Sequence, residues 1–197
     1  MTEAAEKKRV KSWREKVWYE VIAPAMFGGA KVGETPASDP KHVVGRVFET
    51  TLGELLNDPA KSYIKLYLQV TKVDGTKAFT EFKGHEMVKD YVRSLVRRRS
   101  KKVEDITPVQ TSDGYQMRIT SMAITLGRTK SSKISDMRKI MREIIQKRAA
   151  ERTFDQFVQE IVLGKLASDI FKAIKVIHPV RRVEVYKSKI LRKPTQV

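Results

Sequence analysis

The sequence predicts an α+β protein with a curved, barrel-like, mostly antiparallel sheet, packed amphipathic helices and basic terminal extensions. Three observations predict it. Several short segments alternate apolar and polar residues, the clearest being Ser62–Val73, which an Asp-Gly turn folds back into Lys77–Phe82. Other segments carry apolar residues at helical spacing, as at Ile134, Met137, Ile140, Met141, Ile144 and Ile145. The apolar phase of Tyr115–Leu126 switches near Ser121, which marks a bulge or bend and suits a sheet closing on itself.

Taken in order, residues 1–16 form a basic arm, with Lys7, Lys8, Arg9, Lys11, Arg14 and Lys16 around Trp13. Cations around an aromatic ring suit a phosphate backbone with a base stacked on the ring, although frayed termini have the same composition. Val17–Ile22 reads as a strand stopped by Pro24. Pro24–Pro40 has no periodicity and reads as a long loop; its GGAKVGET run lacks P-loop spacing and leads into no helix, so nucleotide binding is rejected there. Val43–Glu49 reads as a strand, followed by a short helix to Asn57 with a capping box between Thr51 and Glu54.

Gly84–Arg98 reads as an amphipathic helix: Val88, Tyr91, Val92, Leu95 and Val96 share one arc, and Lys89, Arg93 and Arg97 flank it. Arg99 would fall inside the apolar arc. The helix therefore ends near Arg98 and releases Arg98, Arg99, Lys101 and Lys102 into a connection. Val103–Thr111 and Tyr115–Leu126 are strands around an Asp113-Gly114 turn, and Gly127–Lys133, with Arg128, Lys130 and Lys133, is a basic loop. The helix from Lys133 to Glu151 carries Arg138, Lys139 and Arg142 beside its apolar stripe. Thr153 and Gln156 form a second capping box before a helix expected to break at Gly164. Val180–Tyr186, with Arg181 and Arg182, is a last strand, and Lys187–Val197 a basic tail. The expected organisation is an arm (1–16), one α+β domain (17–186) and a tail (187–197).

Charge narrows the function. The chain has 197 residues, 40 Lys and Arg against 23 Asp and Glu, a formal charge of +17 and no cysteine. Such a balance implies a polyanionic partner, and the absence of cysteine removes disulfides and thiolate metal sites. No segment reads as membrane-spanning and the first residues lack a signal peptide's apolar run, so a cytoplasmic location is expected. The charge is sectored: residues 84–152 carry 17 basic and 8 acidic groups, whereas 153–178 carry 3 of each. The neutral, apolar segment is expected to pack on the domain itself or on another protein. Arginine at Arg97–Arg99, Arg138, Arg142, Arg181 and Arg182 suits bidentate phosphate contacts, and neither a helix-turn-helix pair nor an RRM signature is present. Shape recognition of folded RNA fits best.

Enzyme chemistry finds little support. His42, His85 and His178 lie far apart in different elements, and His85 reads as a helix N-terminal residue without a second His at metal spacing. Glu81, Glu86 and Asp90 are the nearest acidic group, without the pattern of a divalent-ion nuclease site. No metal, cofactor or catalytic residue is expected. A free-standing nucleic-acid chaperone is the alternative, and a basic RNA-processing enzyme a weaker third reading.

VVGRVFETTLGELLND (Val43–Asp58), through Gly45, Arg46, Glu49, Thr51, Leu52 and Glu54, resembles the signature of the archaeal and eukaryotic small-subunit ribosomal protein family S-one-e, also called S-three-a. WYEVIAPAMF, SYIKLYLQV, GHEMVKDYVRSLVRRR and the Arg148–Phe154 junction extend the resemblance over nearly the whole chain, with short tails of archaeal type. The resemblance implies an α+β body with a barrel-like sheet. It also implies a structural role in the small subunit, bound to ribosomal RNA on the platform near the messenger exit side and the 3′ end of that RNA. Implied partners are small-subunit ribosomal RNA and neighbouring platform proteins, with the Thr153–His178 segment as the candidate contact; messenger RNA at the exit side is a further candidate. Arg46 either binds RNA or pairs internally.

Overall fold

A computed structural model describes Trp13 and residues 16–194 of the chain. The arm residues Lys7, Lys8, Arg9, Lys11 and Arg14 lie outside the described residues. The elements run β1 (Val17–Ile22), β2 (Lys31–Ala37), β3 (Val47–Thr51), α1 (Leu52–Leu56), β4 (Ile64–Asp74), β5 (Lys77–Met87), α2 (Lys89–Leu95), β6 (Lys102–Gln110), β7 (Gln116–Thr125), α3 (Ser131–Glu151), α4 (Phe154–Val162), α5 (Lys165–Lys175) and β8 (Val180–Arg192).

The fold is α+β and its sheet mostly antiparallel, as expected. Eight strands follow the order β2-β1-β5-β8-β7-β6, with β4 paired to β5 and β3 to β4. β1 meets β5 in parallel; β1–β2, β5–β8, β6–β7 and β7–β8 are antiparallel. The bend near Ser121 is present as a register shift against β8 between Thr120 and Ser121. Barrel closure does not follow, because the strand order ends freely at β2 and β6. The outer edge of β6 is blunted: Arg138 Nε donates to the Glu104 carbonyl at 3.0 Å, and Pro108, at the same strand parity, has no N–H to offer a further strand.

The chain forms two compact units, Met1–Phe48 with Leu68–Phe82, and Glu49–Tyr67 with Lys83–Val197. The first is built on Tyr19, Val21, Ala37, Val43, Val70 and Ala78, with Val32, Phe48 and Val73 packed around them. In the second, α3 lies on β6, α5 on β8, and α5 also packs against α3 and α4. Met137, Met141, Ile145, Phe157, Ile170 and Ile174 are buried there, while Ile140 and Ile144 of the expected stripe are half-buried at its margin.

The Thr51–Glu54 capping box is formed, with Glu54 N donating to Thr51 Oγ1 at 3.2 Å. The break at Gly164 is also present, with φ 83° separating α4 from α5. Thr153, however, makes no side-chain cap. The Phe154 N–H donates instead to Asp113 Oδ2 at 2.8 Å, so a carboxylate distant in sequence closes that helix end.

Four boundaries differ from expectation. Val43–Arg46 is a turn, and the strand begins only at Val47. The presumed loop from Pro24 contains β2, whose composition with Gly33 and Pro36 is poor for a strand but which is held by its ladder to β1. The expected helix from Gly84 is strand as far as Met87, because Gly84, His85 and Glu86 pair with Lys189, Ser188 and Lys187. For the same reason the expected tail from Lys187 is strand through Arg192. The helical remainder, α2, spans seven residues.

Candidate nucleic-acid interface

Three basic segments meet at one end of the β6-β7-β8 sheet, and Thr125 is the joint. Its N–H donates to the Lys101 carbonyl at 3.0 Å, and its hydroxyl accepts from Lys101 N at 2.9 Å and donates to the Gly127 carbonyl at 2.7 Å. The next residue, Leu126, donates its N–H to the Pro179 carbonyl at 3.1 Å. The turn after α2, the loop after β7 and the start of β8 are thereby held together, and strand pairing places Lys102 and Arg182 on either side of Ile124.

The turn itself is fixed by Ser100, whose hydroxyl accepts from Arg97 N at 2.9 Å and whose N–H donates to the Arg97 carbonyl at 3.1 Å. Arg99 adopts a left-handed φ of 67°, which turns the chain toward β6. Arg97, Arg98, Arg99 and Lys101 are exposed around this turn. Across the joint, Arg128 and Lys130 lead into α3, whose first turn carries Lys133, no acidic residue and no side-chain cap. The positive end of that helix dipole adds to the lysines rather than opposing them, an arrangement that favours an anion.

Ion pairing divides the expected cations into two groups. Arg142 Nη2 bonds the buried Asp105 at 2.7 Å, and Arg138 is spent on the Glu104 carbonyl. Arg182 Nε lies 2.7 Å from Glu184, whose hydrogen bond raises the guanidinium pKa. Lys102 is paired with Glu104 and lies over the Tyr186 ring, 5.5 Å from its centroid. Arg93 is 3.4 Å from Asp90. Arg46, at the turn before β3, donates to the Thr35 hydroxyl and, at 3.2 Å, to the Pro36 carbonyl. Arg97, Arg98, Arg99, Lys101, Arg128, Lys130, Lys133 and Arg181 have no carboxylate partner among the described residues.

Pattern reading missed two features. Arg118 and Lys189 face each other across β7–β8, both exposed and without a carboxylate among the described residues. A like-charge cross-strand pair is unfavourable, but Arg118 lies in a strand read for its core and Lys189 in the expected tail, so neither stood out. The other is Thr125, which only the fold identifies as the joint. Trp13, expected to stack on a base, stands edge-on to Trp18 with centroids 6.2 Å apart and Lys16 Nζ 4.6 Å above its ring. Among the described residues no group of three His, Asp or Glu could hold a metal ion, and no helix is long and apolar enough to cross a membrane.

The sequence matches the Ribosomal S3Ae family over residues 4–194. The chain belongs to this family. Its relatives include the small ribosomal subunit protein eS1 of Desulfurococcus amylolyticus, 48% identical over 93% of this chain and 86% of the relative. The eS1 protein of Sulfurisphaera tokodaii is 46% identical over 92% of this chain and 94% of the relative, and that of Methanoculleus marisnigri 42% identical over 93% of both. The S3Ae family is one of ribosomal structural proteins rather than of enzymes. The resemblance at Val43–Asp58 is thus part of a family match over residues 4–194.

Proposed function

We propose that this protein is a structural component of the small ribosomal subunit in the cytoplasm, and that it grips ribosomal RNA with the basic end of its β6-β7-β8 sheet. The observation that carries the reading is the gathering of unpaired cations from three separate chain segments around Thr125 in a chain of charge +17. Cations left without carboxylates lose little on meeting phosphate and release its counterions, so affinity is salt-sensitive and largely independent of base sequence. Placement on the platform, near the messenger exit and the 3′ end of the RNA, rests on the family resemblance. Protein neighbours there would meet what the Thr153–His178 segment leaves outside after burying most of its apolar residues, chiefly Leu163 and Val176.

A crosslinking map of the chain on purified small subunits tests this directly. RNA crosslinks at Arg97–Lys101, Arg128–Lys133 and Arg181, retained through washes of moderate salt, are expected. Recovery of most copies in a ribosome-free fraction, with equal affinity for unrelated duplexes, would favour a free-standing chaperone.

A further inference from the structure

Beyond Arg181, within the same compact unit, a cavity of about 430 Å³ opens between the start of β8 and the α4–α5 junction. Its size lies within the range of small-molecule sites. Ile64, Met87 and Val185 contribute apolar surface, Ala167 and Ser168 line it from α5, and Tyr63, Lys61 and Arg181 add an aromatic ring and positive charge. The Tyr63 ring is held by a stack on Tyr91, with centroids 3.9 Å apart and planes 17° from parallel.

The charges around the cavity select an anion. Glu184 is its one acidic residue among the described residues, and Arg182 holds that carboxylate at 2.7 Å. Lys61 is paired with Asp58 at 3.4 Å, which leaves Arg181 as the cation without a carboxylate among the described residues. His85 adds no charge. Its Nε2–H donates to the Val185 carbonyl at 3.0 Å and its Nδ1 accepts from the Ser188 hydroxyl at 2.6 Å, so both ring nitrogens are satisfied inside the protein. A lining that mixes polar and apolar groups, an immobilised aromatic ring and one uncompensated guanidinium match a nucleotide, with a flat base and a phosphate.

We infer that this cavity receives one nucleotide turned out of the RNA strand bound at the basic end of the sheet, its base beside Tyr63 and its phosphate at Arg181. The inference rests on the RNA-binding reading above. A strand running from the Arg97–Lys101 turn to Arg181 crosses β6, β7 and β8, a span of about 10 Å at ordinary strand spacing. It therefore arrives at the cavity mouth already neutralised. Unpaired loop nucleotides are the ones that can be splayed onto aromatic and guanidinium planes, and turning one out costs least where no base pair is broken.

The test is nucleotide-resolution chemical probing of small-subunit RNA bound to the full-length protein. Ser168→Trp, at an exposed α5 position lining the cavity, fills it without altering charge or any free cation of the sheet end. One base is expected to become reactive in that complex by about fivefold or more, the scale of a lost base–aromatic stack, with an unchanged phosphate footprint; Ser168→Thr should resemble the natural protein. Arg181→Gln should expose the same base, and it decides the matter if Ser168→Trp does not fold. Unchanged base reactivity in a folded Ser168→Trp complex that still binds RNA overturns the cavity inference and leaves the RNA reading intact. Loss of a crosslink to a neighbouring protein without any base change overturns it in favour of a protein side chain. Absence of RNA binding by the natural protein overturns both.

Discussion

Arg142 Nη2 lies 2.7 Å from Oδ1 of Asp105, 37 residues earlier on β6, and this carboxylate is buried. The Thr107 hydroxyl donates to the other oxygen, Oδ2, at 2.7 Å. An arginine whose position beside a helix stripe suggested phosphate contact thus fastens α3 to β6. Its removal would leave a buried carboxylate with one hydroxyl donor, which is expensive. Arg142→Gln is therefore expected to lower the thermal midpoint by several degrees while leaving the salt slope of RNA binding unchanged. Arg98→Gln should leave the midpoint unchanged and reduce that slope by about 1. Calorimetry and a salt titration of RNA binding on both variants separate the roles; a reduced slope for Arg142→Gln would return it to the interface.

Gly84 lets β5 and β8 approach. A methyl group there would stand well inside van der Waals contact with the Ser188 carbonyl oxygen, which belongs to the backbone and cannot swing aside. Gly84→Ala is expected to cost about 1–3 kcal/mol, the range for overpacking a close contact. The loss should be local first, with faster amide exchange at Glu86 and Lys189 than at β6 and β7. Uniformly retained protection in β5 and β8 would show that the strands part without penalty.

What was legible in the sequence was local. The β4–β5 hairpin announced itself by alternation and an Asp-Gly turn, and Thr51 with Glu54 by three-residue spacing, because each signal lies within a few residues of its effect. The strand character of Gly84–Met87 was not legible, since it depends on pairing with Lys187–Lys189 about a hundred residues away. The same distance hid the end of β8. At the interface, composition revealed that cations were plentiful but not which were already spent. Arg142 is set apart from Arg98 by its pairing with Asp105, and helix periodicity cannot see a carboxylate on another strand.

Arg118 and Lys189 repel each other in the free protein. Replacing one by an acid converts the pair to an attractive one, so Lys189→Glu is expected to stabilise the isolated chain by about 0.2–1 kcal/mol. If these side chains also meet phosphate, the same variant weakens RNA binding and shallows its salt dependence. Denaturant unfolding and RNA titration should thus move in opposite directions. A variant that is both more stable and fully competent for RNA would assign the pair no role in binding.

His85 gives the fold a pH dependence whose sign follows from its burial. Desolvation holds its pKa down to about 4 from an ordinary 6.5, against the opposing pull of the Val185 carbonyl and the nearby Glu86 carboxylate. Between these values the unfolded chain binds a proton that the folded chain refuses, so stability rises with pH across the window. The contribution is complete above pH 6.5 and is lost as pH falls through about 4; its full size is roughly 3 kcal/mol. Glu86 acts at the lower end of this range: burial pushes its pKa up, but the hydrogen bond and charge of Lys187, with the Tyr186 hydroxyl and the Lys89 charge, outweigh burial and lower it from 4.5, so its own contribution is present above 4.5 and is lost as pH falls below that value. Urea midpoints of the natural protein should therefore climb from pH 4.5 to 6.5 and then level. In His85→Leu that climb should flatten whatever the absolute stability of the variant, and an undiminished slope would place the titrating group elsewhere.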